Sequence, residues 1–197
     1  MVLVDRTELI LEETLPKHFS NLDGVKVSTC ETMIVAWSSS SSDVCIWQRQ
    51  VNVWSKIILP HPCKVNDVDI KEDAIALGQR DGGVAIWKMD KHKFIHHKLL
   101  WGHSGQSVTL IKFHRNGDLL ATGSTSDVNT GLVNIWSLSI GTVIQTVAFD
   151  AQEGPPVSMT WLGHRRLTIA NKNSAEVTVV LMPTNYDQEF NLSLIHI

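Results

Sequence analysis

The chain has 197 residues, with 17 basic and 20 acidic side chains and a formal net charge of −3. That balance argues against a dedicated nucleic-acid binder, whose footprint is a strong basic excess. With 43% hydrophobic and 19% charged residues the chain can bury a core, and no apolar run approaches the ~18 residues of a membrane-spanning helix.

The first element expected in chain order is a strand over Glu8-Leu-Ile-Leu-Glu-Glu-Thr-Leu15. Three strands follow over Gly24–Ser28, Thr32–Ser38 and Val44–Trp47, with a fourth at Trp54–Leu59. The same order returns as Lys64–Ile70, Ala74–Gln79, Gly83–Trp87 and Lys93–Leu100. It returns again as Ser107–Phe113, Asp118–Gly123, Leu132–Trp136 and Thr142–Phe149. A last set covers Pro156–Leu162, Arg166–Lys172 and Glu176–Met182. Asn116-Gly117 marks a tight hairpin, because both residues tolerate positive φ. No segment shows the 3.6-residue periodicity of a helix convincingly.

Tryptophan marks the repeat. The chain holds seven tryptophans and one tyrosine. Three of the tryptophans close near-identical tetrads: Val44-Cys-Ile-Trp47, Val84-Ala-Ile-Trp87 and Val133-Asn-Ile-Trp136. Val177-Thr-Val-Val180 is a weaker fourth copy, and the spacings are 40, 49 and 44 residues. A period in the forties built from four short strands predicts propeller blades.

Further residues carry a family resemblance. Gly102-His103, the turn Phe113-His-Arg-Asn-Gly117, the strand Leu119-Leu-Ala-Thr-Gly-Ser124 and Val133-Asn-Ile-Trp136 stand in order. In the preceding unit, Asp81 lies six residues before Trp87. Together these resemble WD40 repeats across roughly residues 8–182. The resemblance implies an all-β, WD40-type β-propeller, with about four blades at 24–60, 64–101, 107–149 and 156–182. It implies repeat-position roles for Trp47, Trp87, Trp136, Asp81, Gly102, His103, Ser124 and Asp127. It also implies a buried hydrogen-bond chain in the third blade through His103, Ser124, Asp127 and Trp136, of the kind that holds a polar core in one arrangement. The sequence departs from the family pattern after each tryptophan, where Gln48, Lys88 and Ser137 replace the aspartate. The step from Asp127 to Trp136 is nine, three residues longer than in the second blade.

Closed rings of this family usually resemble a seven-bladed disc, so a truncated ring over residues 1–191 is expected, with the Glu8–Leu15 strand as its fastener. The final Leu192-Ser-Leu-Ile-His-Ile197 resembles the translation of a sequencing-adapter end and is expected to be foreign to the fold.

Catalytic and metal chemistry finds little support. Cys30, Cys45 and Cys63 form no C-x-x-C pair, and an odd count argues against a disulfide framework. Reduced thiols and the absence of a visible signal peptide lead us to expect a cytoplasmic or nuclear protein. His92, His96, His97 and His103 are close in sequence, but neighbours on a strand face opposite ways, so a shared metal is not expected. No nucleophile elbow, zinc-protease or phosphate-loop motif is present. The five serines from Ser38 to Ser42 read as a solvated loop. We therefore expect no enzyme activity and no cofactor, and neither nucleic-acid binding nor membrane insertion.

The expected function is a non-catalytic scaffold that docks other proteins on one propeller face. The candidate contact residues on the loops of that face are Ser41, His61, Lys64, Arg80, Gln106, Asn129, Lys172 and Asn173. Arg80 leads them, because arginine is enriched in binding hot spots. The alternatives are the propeller of a vesicle-coat or tethering subunit that continues into a helical solenoid, and the propeller part of a larger enzyme.

Overall fold

The computed structural model describes residues 22–182, apart from Thr29, Ser39, Val51, Asn52 and His92. The strand expected over Glu8–Leu15 and the segment 192–197 lie outside the described residues. The described chain is all strand and loop, in four antiparallel sheets.

The first sheet takes Gly24–Val27 (β1), Met33–Trp37 (β2), Val44–Gln50 (β3) and Val53–Leu59 (β4), hydrogen-bonded in chain order. The second takes Val65–Lys71 (β5), Ala74–Gln79 (β6), Gly83–Asp90 (β7) and Lys93–Trp101 (β8). Ser107–Phe113 (β9), Leu119–Thr125 (β10), Gly131–Ser137 (β11) and Thr142–Phe149 (β12) make the third. Pro156–Leu162 (β13), Arg166–Asn171 (β14) and Val177–Leu181 (β15) make a three-stranded fourth. The four sheets are four blades, and the first strand of each approaches the first strand of the next. The sequence repeat sets the register: Trp47, Trp87, Trp136 and Val180 lie opposite Ile34, Ile75, Leu120 and Leu167.

Strand alternation gives each blade two apolar faces, and the cores lie between blades. Val35, Val44 and Ile46 of the first blade pack on Val68, Ile75 and Leu77 of the second. Ala76, Ile86 and Leu100 meet Ile111, Leu120 and Trp136 between the second and third. Leu119, Val133 and Ile135 meet Met159, Leu167 and Ile169 between the third and fourth. The two end faces have no such partner among the described residues. Val25, Val27 and Ile58 are exposed on the first blade, and Val177, Val179 and Leu181 on the fourth.

A charged belt joins the first strands. Lys26, Asp69, Lys112 and Thr160 occupy equivalent positions in successive blades, so charge alternates across the first three. Lys26 Nζ lies 3.0 Å from Asp67 and 3.7 Å from Asp69. The two carboxylates in turn accept the backbone N–H groups of Ile111 and Phe113, each at 2.7 Å, from the inner strand of the third blade. Charged acceptors thus satisfy edge donors that no further strand pairs. Asp67→Ala removes one acceptor and the nearer ion pair, and it should cost about 2 kcal/mol in urea unfolding. A loss below about 0.5 kcal/mol would show that the belt contributes nothing to blade docking.

Candidate partner-binding face

The β6–β7, β10–β11 and β14–β15 loops share one end of the blades with the connections that enter β5, β9 and β13. Backbone bonds make this plain: Arg80 N–H donates to the Lys64 carbonyl, and Lys172 N–H to that of Pro155. We call this end the upper face.

Beneath it lie two related polar cores. In the third blade the Trp136 indole N–H donates to Thr122 Oγ1 at 2.7 Å. Thr122 Oγ1 is also 2.7 Å from His103 Nε2, against 3.5 Å from the Asn134 carbonyl. His103 Nδ1 is buried with no protein partner. Burial lowers the His103 pKa to about 4, so the ring is neutral. The hydrogen-bond chain therefore runs through Thr122, not Ser124. Ser124 instead donates to Gln106 Oε1 at 3.0 Å, and Asp127 is exposed on the lengthened loop. Gly102 is required by packing: a Cβ there would sit 2.6 Å from the Trp136 ring. Asn134 fastens this linker, donating to the Gly102 carbonyl at 2.8 Å and accepting from Thr146 at 2.7 Å.

In the second blade His61 takes the place of His103, four residues before the inner strand, with Pro60 where the third blade has Gly102. Its Nε2 is 2.6 Å from the Gln79 amide nitrogen, which donates, and its Nδ1 is again buried without a protein partner. Burial pushes its pKa down. Asp81 does not reach it by a hydrogen bond. One Asp81 oxygen accepts the Gly83 N–H and the other accepts the Cys63 thiol at 3.1 Å, which raises the thiol pKa. Trp87 lies between His61 and His96, with ring centroids at 6.2 and 5.2 Å. In the first blade the Lys56 ammonium lies 5.8 Å from the centre of the Trp47 ring.

The loop candidates separate by what their side chains already hold. His61 is buried, and Gln106 is tied to Ser124. Asn129 and Asn173 both donate to the Ala151 carbonyl, at 3.4 and 3.2 Å, which joins the loops of the third and fourth blades. Ser41 Oγ accepts the Asp43 N–H. Lys64, Arg80 and Lys172 remain as exposed cations with no side-chain ion pair or hydrogen bond among the described residues. Trp101, at the end of β8, is 59% exposed, whereas Trp54 packs on the cluster of Ala36, Cys45 and Trp47 within its own blade. No group of three or more potential metal ligands occurs among the described residues. No helix there is long and apolar enough to cross a membrane.

No family model matches the chain, and no curated protein is significantly similar to it. Solved structures do match. The computationally designed Ika4 protein aligns with a TM-score of 0.66 at 15% identity, over 86% of this chain and 96% of its own. The β-propeller domain of Myceliophteria thermophila Cps50 (Swd1) aligns at 0.65 and 13% identity, over 83% of this chain and 53% of its own. A chain of the mitotic checkpoint complex aligns at 0.64 and 15% identity, over 80% of this chain and 48% of its own. The chain thus spans about half the length of the latter two. The fold is a β-propeller of four described blades.

Proposed function

We propose that this chain is a divergent WD40-type scaffold, non-catalytic, that contributes four blades to a larger ring and docks a protein partner on its upper face. One observation carries the reading. The exposed cations of the upper-face loops, Lys64, Arg80 and Lys172, all carry uncommitted side chains, one from each of the second and fourth blades' loops and one from the connection into β5, with the exposed acids Asp127 and Glu176 beside them. Such cations supply complementarity to an acidic partner surface. Two further observations support it. The buried polar cores beneath the face hold its loops in place, and the structures it resembles include a chain of a named multiprotein complex. The uncovered end faces of the first and fourth blades support the larger ring.

The test is affinity purification of the protein from its own cells, wild type against a Lys64→Glu, Arg80→Glu, Lys172→Glu variant. We expect the wild type to recover a defined partner set and the variant, with unchanged circular dichroism, to lose it. Equal recovery by both would overturn the upper-face assignment, and no stable partner in either would overturn the scaffold reading.

A further inference from the structure

The three junctions between neighbouring blades differ where their first strands meet. At the first, Lys26 of β1 pairs with Asp67 and Asp69 of β5. At the second, the same two carboxylates accept the Ile111 and Phe113 N–H groups on the free edge of β9. A carboxylate therefore occupies both places, once as the partner of a cation and once as the acceptor of edge donors.

The third junction has both kinds of partner and no carboxylate. Register carries Asp67 and Asp69 onto Leu110 and Lys112 in the third blade and onto Ser158 and Thr160 in the fourth. It carries Ile111 and Phe113 onto Met159 and Trp161. The Met159 and Trp161 N–H groups thus lie on the free edge of β13, next to β9, where Leu110 and Lys112 stand in place of the acids. Lys112 also occupies the position of Lys26, and it has Ser158 and Thr160 where Lys26 meets two aspartates. The Trp161 indole donates to the Lys112 carbonyl at 3.1 Å, which fixes the two strands side by side.

Charge at this junction is of one sign. Lys112 is the only ionisable side chain on β9 or β13, and it makes no ion pair among the described residues. Asp69, on the other side of β9, lies within its field, but that carboxylate already holds the Phe113 N–H and lies 3.7 Å from Lys26. There is also room. Leu110 lines an open hollow of about 330 Å³ with Thr125, Pro156, Val157 and Lys172. No carboxylate lines the hollow, and Lys172 connects it with the upper-face loops.

We propose that the third junction takes a carboxylate from outside the four blades: an aspartate or glutamate side chain of the docked protein partner, with a neighbouring apolar residue in the hollow. Lys112 is its counter-charge, and the Met159 and Trp161 N–H groups are its donors. The site rests on the scaffold reading for the source of the carboxylate, and it extends the contact from the upper-face loops to the inner strands. The molecule itself selects the chemistry, because a carboxylate fills this place at the other two junctions.

The probe is the capped tripeptide acetyl-Leu-Asp-Leu-amide, titrated into the isotope-labelled chain with the Met159 and Trp161 amide resonances followed by NMR. We expect saturable shifts at both amides. The Asn version of the peptide, and the Asp peptide on Lys112→Gln, should each bind at least about tenfold more weakly, the worth of one charge-assisted hydrogen bond. Lys112→Asp supplies a carboxylate at the Asp69 position from within. It should abolish peptide binding and slow hydrogen exchange at the Trp161 amide at least about tenfold. Equal binding of the two peptides, unchanged binding by Lys112→Gln, no shift at these amides, or unchanged Trp161 exchange in Lys112→Asp would each overturn the proposal. So would acetate binding as tightly as the tripeptide, which would assign the junction to a small anion. The two peptides are compared on the wild-type chain, so a variant that fails to fold leaves that comparison standing. Lys64→Glu/Arg80→Glu should bind the tripeptide like the wild type. Peptide failure alongside partner loss in the Lys64→Glu, Arg80→Glu, Lys172→Glu variant would remove the junction site and leave the upper-face reading intact.

Discussion

Trp136→Ala is expected to cost about 4 kcal/mol of folding stability. The side chain is 2% exposed and packs between the second and third blades with Ile111, Phe113 and Leu120. Alanine would leave a cavity that flanking strands cannot close, because their register is fixed on both sides by ladder hydrogen bonds. Trp136→Phe separates the contributions. It keeps most of the apolar volume but removes the N–H that donates to Thr122, and should cost about 1 kcal/mol beyond any repacking. Trp87 is the control. Its indole N–H is buried with no protein partner, so Trp87→Phe loses no hydrogen bond there and should change stability by less than about 0.5 kcal/mol. Urea unfolding followed by far-ultraviolet circular dichroism measures all three. Against a typical total of 5–15 kcal/mol, Trp136→Ala leaves a much reduced folded population. Equal costs for the two phenylalanine variants would show that the Trp136–Thr122 bond has no net worth.

The sequence pattern places the blades well and their polar cores less well, for a physical reason. Strand positions follow from tetrads that repeat in phase and from turns such as Asn116-Gly117. Ala74–Gln79, Ser107–Phe113, Thr142–Phe149 and Pro156–Leu162 have the bounds the pattern predicts. Which hydroxyl reaches the tryptophan depends on which side of β10 it occupies relative to the next blade. Thr122 and Ser124 share a side, two residues apart, and the pattern alone does not rank them. Thr122 lies nearer Trp136 along the ladder, since Trp136 pairs with Leu120 and Ser124 pairs with Leu132. His61 was legible only as a loop residue, because Pro60 replaces the glycine of the repeat signature. Counting four residues back from the inner strand would have found it. The Lys26–Asp69–Lys112 belt joins residues about 43 positions apart and has no local signature. A search for charge alternation at the repeat period would reveal it. The bulge at His97, where Ile86 pairs with Lys98 and Trp87 with His96, breaks the alternation rule that separates His96 from His97, and nothing in the local composition announces it.

Acidification should destabilise the protein between pH 6.5 and about 4, with His103 as the largest single source. The folded-state pKa of His103 is about 4 against a reference of 6.5, and the cause is burial. The unfolded chain therefore takes up the proton first. The stability linked to the neutral ring is fully present above pH 6.5 and is lost as pH falls through about 4. At about 1.4 kcal/mol per pH unit the full loss is about 3 kcal/mol. His61, His97 and His114 have pKa values lowered by burial as well and act with the same sign. Asp69 acts against them. Burial raises its carboxyl above the reference of 3.8, so the folded state gains as that group protonates. Several histidines act in one direction against this single carboxylate, so a net loss of stability on acidification is the expected result. His103→Gln keeps a side-chain amide near Thr122 and removes the titration. The difference in urea midpoint between pH 7.5 and 4.5 should shrink by more than half in this variant, with the remainder owed to His61 and His114. A variant that loses as much stability as the wild type over that interval would move the acid sensitivity away from the third blade's polar core.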